Sequence, residues 1–279
     1  MPLSGCSRSL CLAAAALMAV AVAVCPFPAA ATVAQDPHRA FYRLEMGRIT
    51  GSSGVVGVKG AMTSEWEKGC DGWTATQQLA VTMERQEGAA AESSVSASIF
   101  ETHDGTKLRF TSKTTVDRKV IEQVRGRAER ASATAPGKAY YIEPKGLTID
   151  LPAGTLFPYQ HTLAIIAAAT SGTGRDFSPF FDGSQPEKSP FDVSSLVLGA
   201  ARGGDEGPGA GLGALTAHRW WPVRLAFFPD ADDTAEPEIE MTQYLQENGV
   251  VRRFDFDFGE FTVIATLERI EPLAEPACQ

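Results

Sequence analysis

The chain has 279 residues, with 25 basic and 34 acidic side chains, which gives a formal net charge of −9. An acidic surplus argues against non-specific binding to nucleic acid or to anionic lipid surfaces, because both attract basic proteins. The length suits one large domain or two smaller ones, and 44% apolar residues are enough for a substantial core.

The N-terminus has the pattern of a secretory signal peptide. Arg8 is the only charged residue before position 36, and it precedes an apolar run, Leu10–Val24. Small residues follow, so that signal peptidase would cleave after Ala31 or, as we prefer, after Ala34. We therefore predict a signal peptide at residues 1–34 and a single mature domain at residues 35–279, located outside the cytoplasm and without stable membrane insertion.

Two alternatives to cleavage are weaker. A retained membrane anchor would need roughly 20 apolar residues, and this run is shorter. A lipid anchor on Cys25 is disfavoured because Val24 is bulkier than the small residue that such sites prefer. Removal of the segment with Arg8 leaves 24 basic and 34 acidic residues, a net charge of −10.

Removal of the signal peptide also takes Cys6, Cys11 and Cys25 with it. The two cysteines that remain, Cys70 and Cys278, are predicted to form one disulfide in an oxidising compartment. The alternatives are two unpaired buried thiols, or a metal site, for which two thiolates and scattered histidines are a poor ligand set.

The first half of the mature chain alternates apolar and polar residues between turns, which predicts an antiparallel meander. Asp104-Gly105 is a strong signal for a two-residue hairpin. The predicted strands are Ala40–Met46, Val55–Trp66, Trp73–Glu84, Ser93–Thr102, Lys107–Val116, Val120–Arg130 and Ala139–Ile142.

One segment breaks this pattern. Thr155–Thr170 has Pro158 in its first turn, an apolar and alanine-rich middle, and Gly172 just past its end. These features predict the only substantial helix, packed against or inside the sheet.

Strands resume after the helix, and Asn248-Gly249 marks a second strong hairpin. A glycine-rich segment, Gly203–Gly213, is predicted to be a flexible loop. The strands predicted here are Phe177–Phe181, Phe191–Leu198, Trp220–Phe228, Glu238–Gln246, Val250–Phe258 and Phe261–Ile270. The fold class is therefore mainly β, with one central helix.

Catalytic signatures are scarce. Ser171 lacks the glycine two positions earlier that a nucleophile elbow requires. The G-x-G-x-x-A pattern from Gly209 to Ala214 does not directly follow a strand, so we interpret it as a loop rather than a nucleotide site. The histidines do not have zinc-protease spacing; they are His38, His103, His161 and His218.

Metals and cofactors are not expected. Asp230, Asp232 and Asp233 could hold calcium, but no twelve-residue loop follows them, so a solvated acidic turn is favoured. A hydrolase would most plausibly use His161 with Asp182 or Glu260. Three tryptophans, Trp73, Trp220 and Trp221, are either core residues or the lining of a cleft that holds a ligand.

Several short motifs, in order and spacing, resemble the cell envelope integrity EipB family of periplasmic proteins from alphaproteobacteria. The resemblance covers almost all of the mature chain. The motifs that carry it are Tyr42-Arg43-Leu44, Cys70-Asp71-Gly72-Trp73-Thr74, Phe181-Asp182-Gly183, Phe191-Asp192-Val193-Ser194-Ser195-Leu196, Glu247-Asn248-Gly249-Val250 and Pro276-Ala277-Cys278.

The resemblance implies a β-spiral, an incomplete barrel of antiparallel strands with one connecting helix, and a disulfide between Cys70 and Cys278. It also implies a role in envelope integrity without catalysis, and an apolar, lipid or lipoprotein ligand. We therefore expect a monomeric periplasmic protein that binds an envelope partner protein or an apolar ligand and does not bind nucleic acid. An envelope hydrolase acting on lipid or glycan, and a purely structural scaffold, are the alternative functions.

Overall fold

One antiparallel sheet dominates the computed structural model, which describes residues 34–50, 54–229 and 236–278. The strands of the first half are β1 (His38–Ile49), β2 (Val55–Lys68), β3 (Gly72–Arg85), β4 (Ala91–Thr102), β5 (Lys107–Val116), β6 (Lys119–Arg130), β7 (Gly137–Glu143) and β8 (Thr148–Leu151). Helix α1 (Pro158–Ser171) follows. The second half contains β9 (Arg175–Phe180), β10 (Phe191–Val197), a 3-10 turn at Ala214–Thr216, β11 (Trp220–Pro229), β12 (Ile239–Gln246), β13 (Val251–Asp257) and β14 (Phe261–Pro272).

The strand order is β8-β7-β6-β5-β4-β3-β2-β1-β14-β13-β12-β11-β10-β9. The chain starts in the middle of the sheet, proceeds strand by strand to one edge, and crosses through α1 to the opposite edge. It then returns to the middle, where β14 pairs with β1, for example Leu44 with Ala265. The segment before α1 also contacts the far edge through a parallel bridge between Leu156 and Phe180.

These elements confirm the predicted fold class. Each predicted strand has an observed counterpart, with ends that differ by a few residues. The prediction missed β8, because four residues are too few to establish an alternating pattern. The predicted signal peptide falls on residues that, apart from Ala34, lie outside those described, as do Asp230, Asp232 and Asp233.

Helix α1 begins three residues later than predicted, with Pro158 in its first turn. Proline is tolerated there because the first amide groups of a helix have no intrahelical acceptor. The helix ends at Gly172, whose φ of 77° places it in the left-handed region that glycine adopts easily. The α1 side chains Ile165 and Ile166 are buried against strands of the second half.

The core consists of three clusters that together span the sheet. One joins α1 to β9–β12, with members such as Phe191, Val193, Trp221, Val223 and Leu225. A second lies on β1, β2, β14 and the start of β13, with Ala40, Tyr42, Leu44, Met62, Val250 and Ala265. The third lies on β5–β8, where Phe157 and Phe181 pack against Leu108, Phe110, Ala139 and Tyr141. The sheet therefore curves around α1 rather than lying flat.

Candidate functional site

A cavity of about 260 Å³ lies between α1 and the strands that curve around it. Residues from β1–β4, β9, β12, β13 and α1 contribute to it, together with Asp182 and Gly249 from the connecting loops. Its apolar lining is Tyr42, Trp66, Ala75, Ala97, Ile99, Pro158, Phe180, Gly249, Leu245, Val251 and Phe254. Its polar lining is His38, Ser64, Thr76, Gln77, Ser98, Thr162, Asp182 and Gln243. A mainly apolar hollow with a few convergent polar groups is typical of ligand sites.

Aromatic rings form much of the apolar lining. The Tyr42 and Phe254 rings meet edge to face, with centroids 5.5 Å apart. Phe254 in turn stacks on Phe256, at 5.6 Å. Trp66 and Phe180 complete this lining from β2 and β9. Such rings offer a large apolar surface with few rotatable bonds, which suits contact with a hydrocarbon chain.

Three side chains of the lining can ionise. The His38 Nδ1 atom lies 2.7 Å from the Asp36 carbonyl oxygen, and burial lowers the pKa of this imidazole, which favours its neutral form. The Tyr42 hydroxyl donates to the Val251 carbonyl, and burial raises its pKa. Asp182 is the only carboxylate, and burial raises its pKa as well.

The loop between β9 and β10 holds Asp182 in place. Its Oδ1 atom accepts hydrogen bonds from the Ser184 amide at 2.8 Å and the Ser184 hydroxyl at 2.7 Å. The next residue, Gly183, has a φ of 84° and lies directly against the Phe110 ring. Its carbonyl accepts a hydrogen bond from the Tyr141 hydroxyl at 3.1 Å. Only glycine fits at position 183. Its contacts with Phe110 and Tyr141 hold the loop in place, and with it the neighbouring Asp182 carboxylate.

The three tryptophans singled out in the sequence do not line this cavity. Trp73 is buried and stacks on Tyr159 of α1, and Trp221 is part of the cluster around that helix. Trp220 is fully buried, and its indole N–H donates to the Gly203 carbonyl. Helix and loop residues cover all three, so this cavity is lined without them.

Trp66 is the tryptophan that does line the cavity, and sequence reasoning missed it. Alternation along β2 places it on the same face as Met62 and Ser64, of which Met62 is a core residue and Ser64 lines the cavity. The two-residue period of the strand could therefore have identified Trp66 from the sequence.

The glycine-rich segment is a loop, as predicted, and it packs onto the sheet. Besides the bond from Trp220 to Gly203, the buried Arg252 side chain donates to the Gly204 carbonyl at 3.0 Å. Gly207 lies against the Trp220 ring. The absence of a side chain at Gly207 allows this close approach to the indole, so the segment covers Trp220.

The hydrolase residues are not assembled in one pocket. His161 is buried on α1, where its ring lies 4.9 Å from that of Phe180 and burial lowers its pKa to about 4. Its Nε2 atom is 3.4 Å from Ser195 Oγ, which is also buried. Glu260 is exposed in the turn between β13 and β14. Of the three residues, only Asp182 lines the cavity.

The structure joins Cys70 and Cys278 in a disulfide. Cys70 lies in the turn between β2 and β3, and Cys278 lies beyond β14, with Cα atoms 5.5 Å apart. The residues between β14 and Cys278 cross the ends of β1 and β2. Lys68 forms an ion pair with Glu275 at 2.8 Å on this path.

Two features are absent from the described residues. None of the helices there is long and apolar enough to cross a membrane. Within the same residues, no group of three or more His, Cys, Asp or Glu side chains is arranged to hold a metal ion.

Fold and site together define a class of protein: a single curved antiparallel sheet wrapped around one helix, with a mainly apolar cavity between them. The chain belongs to the EipB-like family, which it matches over residues 29–274. The resemblance noted in the sequence is thereby confirmed.

A curated protein sequence and a crystal structure, both from Brucella abortus, are similar to this chain. The cell envelope integrity protein EipB of strain 2308 is 28% identical over 245 residues, which covers 87% of this chain and 86% of that protein. A crystal structure described as a β-barrel-like protein of domain of unknown function DUF1849 has a TM-score of 0.79 and 27% identity. It matches 87% of this chain and 100% of the crystallised one.

Proposed function

We propose that this protein acts in the periplasm as a non-catalytic binding protein that supports the integrity of the cell envelope. Membership of the EipB-like family and the name of its Brucella relative support the envelope role. The signal peptide predicted at residues 1–34 supports export. The separation of Glu260 from the cavity favours binding over hydrolysis.

The cavity is the observation that carries the proposal, because it offers an apolar ligand a partly enclosed site. Its volume of about 260 Å³ is slightly below the ~300–1,000 Å³ typical of ligand pockets, so it suits one short hydrocarbon chain or part of a longer one. Tyr42, Trp66, Phe180 and Phe254 would contact that chain.

Trp66 offers a direct test. Titration of the mature protein with chain-brominated envelope lipids and acyl chains should quench tryptophan fluorescence to saturation. Trp66→Phe should lose most of the quenching, because the other mature-domain tryptophans are buried elsewhere. Trp73→Phe is the matched control and should retain it. Saturable quenching that Trp66→Phe leaves unchanged would place the ligand outside this cavity.

The second candidate for what this protein binds is a partner protein. Strand β9 is an edge of the sheet, and it exposes 66% of Phe177 beside Leu196, which is 48% exposed. Unpaired strand edges are available for pairing with another chain. If no envelope lipid, acyl chain or peptidoglycan fragment binds saturably, only this form of the proposal, or a scaffold role, survives.

A further inference from the structure

The cavity contains a carboxylate with no cationic partner in the described residues. Ion pairs elsewhere on the sheet connect arginine or lysine with aspartate or glutamate, but none of those found includes Asp182. Its Oδ1 atom accepts hydrogen bonds from the Ser184 amide and hydroxyl, and its own backbone amide also contacts the carboxylate. None of these donors carries a positive charge.

Asp182 is half-buried, and even partial burial of an unpaired carboxylate is costly. A carboxylate removed from water loses hydration, and hydrogen bonds or an opposite charge must compensate for it. The other ionisable groups of the lining do not provide that charge. His38 is held near the Asp36 carbonyl and favours its neutral form, and the Tyr42 hydroxyl donates to Val251. A cationic ligand could supply the positive charge that these protein groups do not provide.

The rest of the lining defines the remainder of that ligand. Trp66, Phe180 and Phe254 present aromatic surface, while Gln77 and Gln243 add amide groups in the same hollow. A hydrocarbon chain would bury apolar area against the rings, at roughly 25 cal/mol per Å². A compact hydrogen-bond donor at its end could reach the carboxylate of Asp182, which lines the same hollow.

We propose that the cavity selects amphiphiles whose head is cationic and donates hydrogen bonds, above all an ammonium group. The head pairs with Asp182 while the hydrocarbon chain packs on Trp66, Phe180 and Phe254. This inference rests on the proposed function and names the ligand class. An anionic head of the same length would meet the like charge of Asp182 and bind more weakly.

Calorimetric titrations of the mature protein with decylamine, decanol and decanoate test the selection, since the three probes share one chain length and differ in the head. Wild-type protein should bind decylamine at least about tenfold more tightly than decanoate, because only the amine pairs with the half-buried Asp182 carboxylate. Asp182→Asn should lose about tenfold or more in affinity for decylamine and change little for decanol. Asparagine keeps an acceptor for Ser184.

Asp150→Asn is the matched control, since Asp150 lies on β8, is 83% exposed and does not line the cavity. It should bind all three probes as the wild type does. Equal binding of decanoate and decylamine by the wild type would overturn the inference, as would unchanged amine affinity in Asp182→Asn. Either result leaves apolar binding intact as long as decanol still binds. Failure of all three probes to bind would overturn apolar-ligand binding itself.

Discussion

Gly183 shows how one residue without a side chain holds the cavity's carboxylate in position. A Cβ atom at this position would lie 2.2 Å from the Phe110 ring, inside van der Waals contact. The backbone φ of 84° is also unfavourable for any other residue. Asp182 is its neighbour, so the geometry of this turn is coupled to the geometry of the site.

Gly183→Ala should therefore destabilise the protein by about 3 kcal/mol, the sum of backbone strain and overpacking against Phe110. Gly172→Ala is the matched control: its φ is 77°, but nothing lies within 4 Å of the added Cβ atom. We expect a cost of about 1 kcal/mol there, from backbone strain alone. Urea unfolding of the two variants measures both values. If both variants lost the same free energy of unfolding, contact with Phe110 would contribute nothing to the effect of Gly183→Ala.

The start of α1 shows how elements distant in sequence stabilise one another. The residue before the helix, Phe157, provides no capping side chain, and the first turn has no acidic residue. Glu101, at the end of β4, accepts the Tyr159 amide at 2.7 Å and the Gln160 amide at 3.2 Å. A carboxylate at a helix N-terminus satisfies free amides and interacts favourably with the helix dipole.

The same contact links stability to pH. Burial raises the pKa of Glu101 from 4.5 to about 7, against the opposing effects of the two amides and Arg130. The folded state therefore binds this proton more tightly than the unfolded chain does. The Glu101 contribution is greatest below pH 4.5 and is lost as the pH rises towards 7.

Glu101→Gln removes this titration. The free energy of unfolding of the variant, relative to that of the wild type, should therefore rise by about 2–3 kcal/mol between pH 5 and pH 8. Urea unfolding of both proteins at each pH unit measures the difference. Glu92→Gln, on the exposed part of the same strand, should run parallel to the wild type. A Glu101→Gln curve parallel to the wild type would contradict the pKa assignment.

The whole molecule is held together where its ends meet. Strands β1 and β14 pair in the middle of the sheet, and the Leu273 amide donates to the Pro37 carbonyl at 3.1 Å. The disulfide then fixes the C-terminal segment to the turn between β2 and β3, closing a sequence separation of 208 residues. The paired strands do not depend on that bond.

Replacement of Cys70 or Cys278 by serine should lower the thermal stability without abolishing the fold. The chain-entropy model assigns about 5 kcal/mol to a loop of this size, which corresponds to roughly 10 °C in Tm for a domain of this length. Calorimetry of the two variants and of reduced wild-type protein measures the shift. Identical melting temperatures for oxidised and reduced protein would show that the bond contributes nothing to stability.

Local features predicted most of the secondary structure and one covalent link. Alternating side chains placed the strands of both halves, and Asp104-Gly105 and Asn248-Gly249 placed two hairpins, because a strand's period and a turn's φ angles depend on a few adjacent residues. The predicted removal of residues 1–34 left Cys70 and Cys278 as the one pair of cysteines in the remaining sequence. Proline and glycine marked the ends of the helix.

The tertiary structure decided which side chains share the cavity. Trp66, Asp182 and Phe254 lie on separate elements, and they meet because β1 pairs with β14 and the sheet curves around α1. The capping of that helix by Glu101, 58 residues before Tyr159, has the same origin. A hydrophobic pattern specifies that a face is buried but not what covers it. The partner of each buried face depends on long-range strand pairing, which no local window of sequence contains.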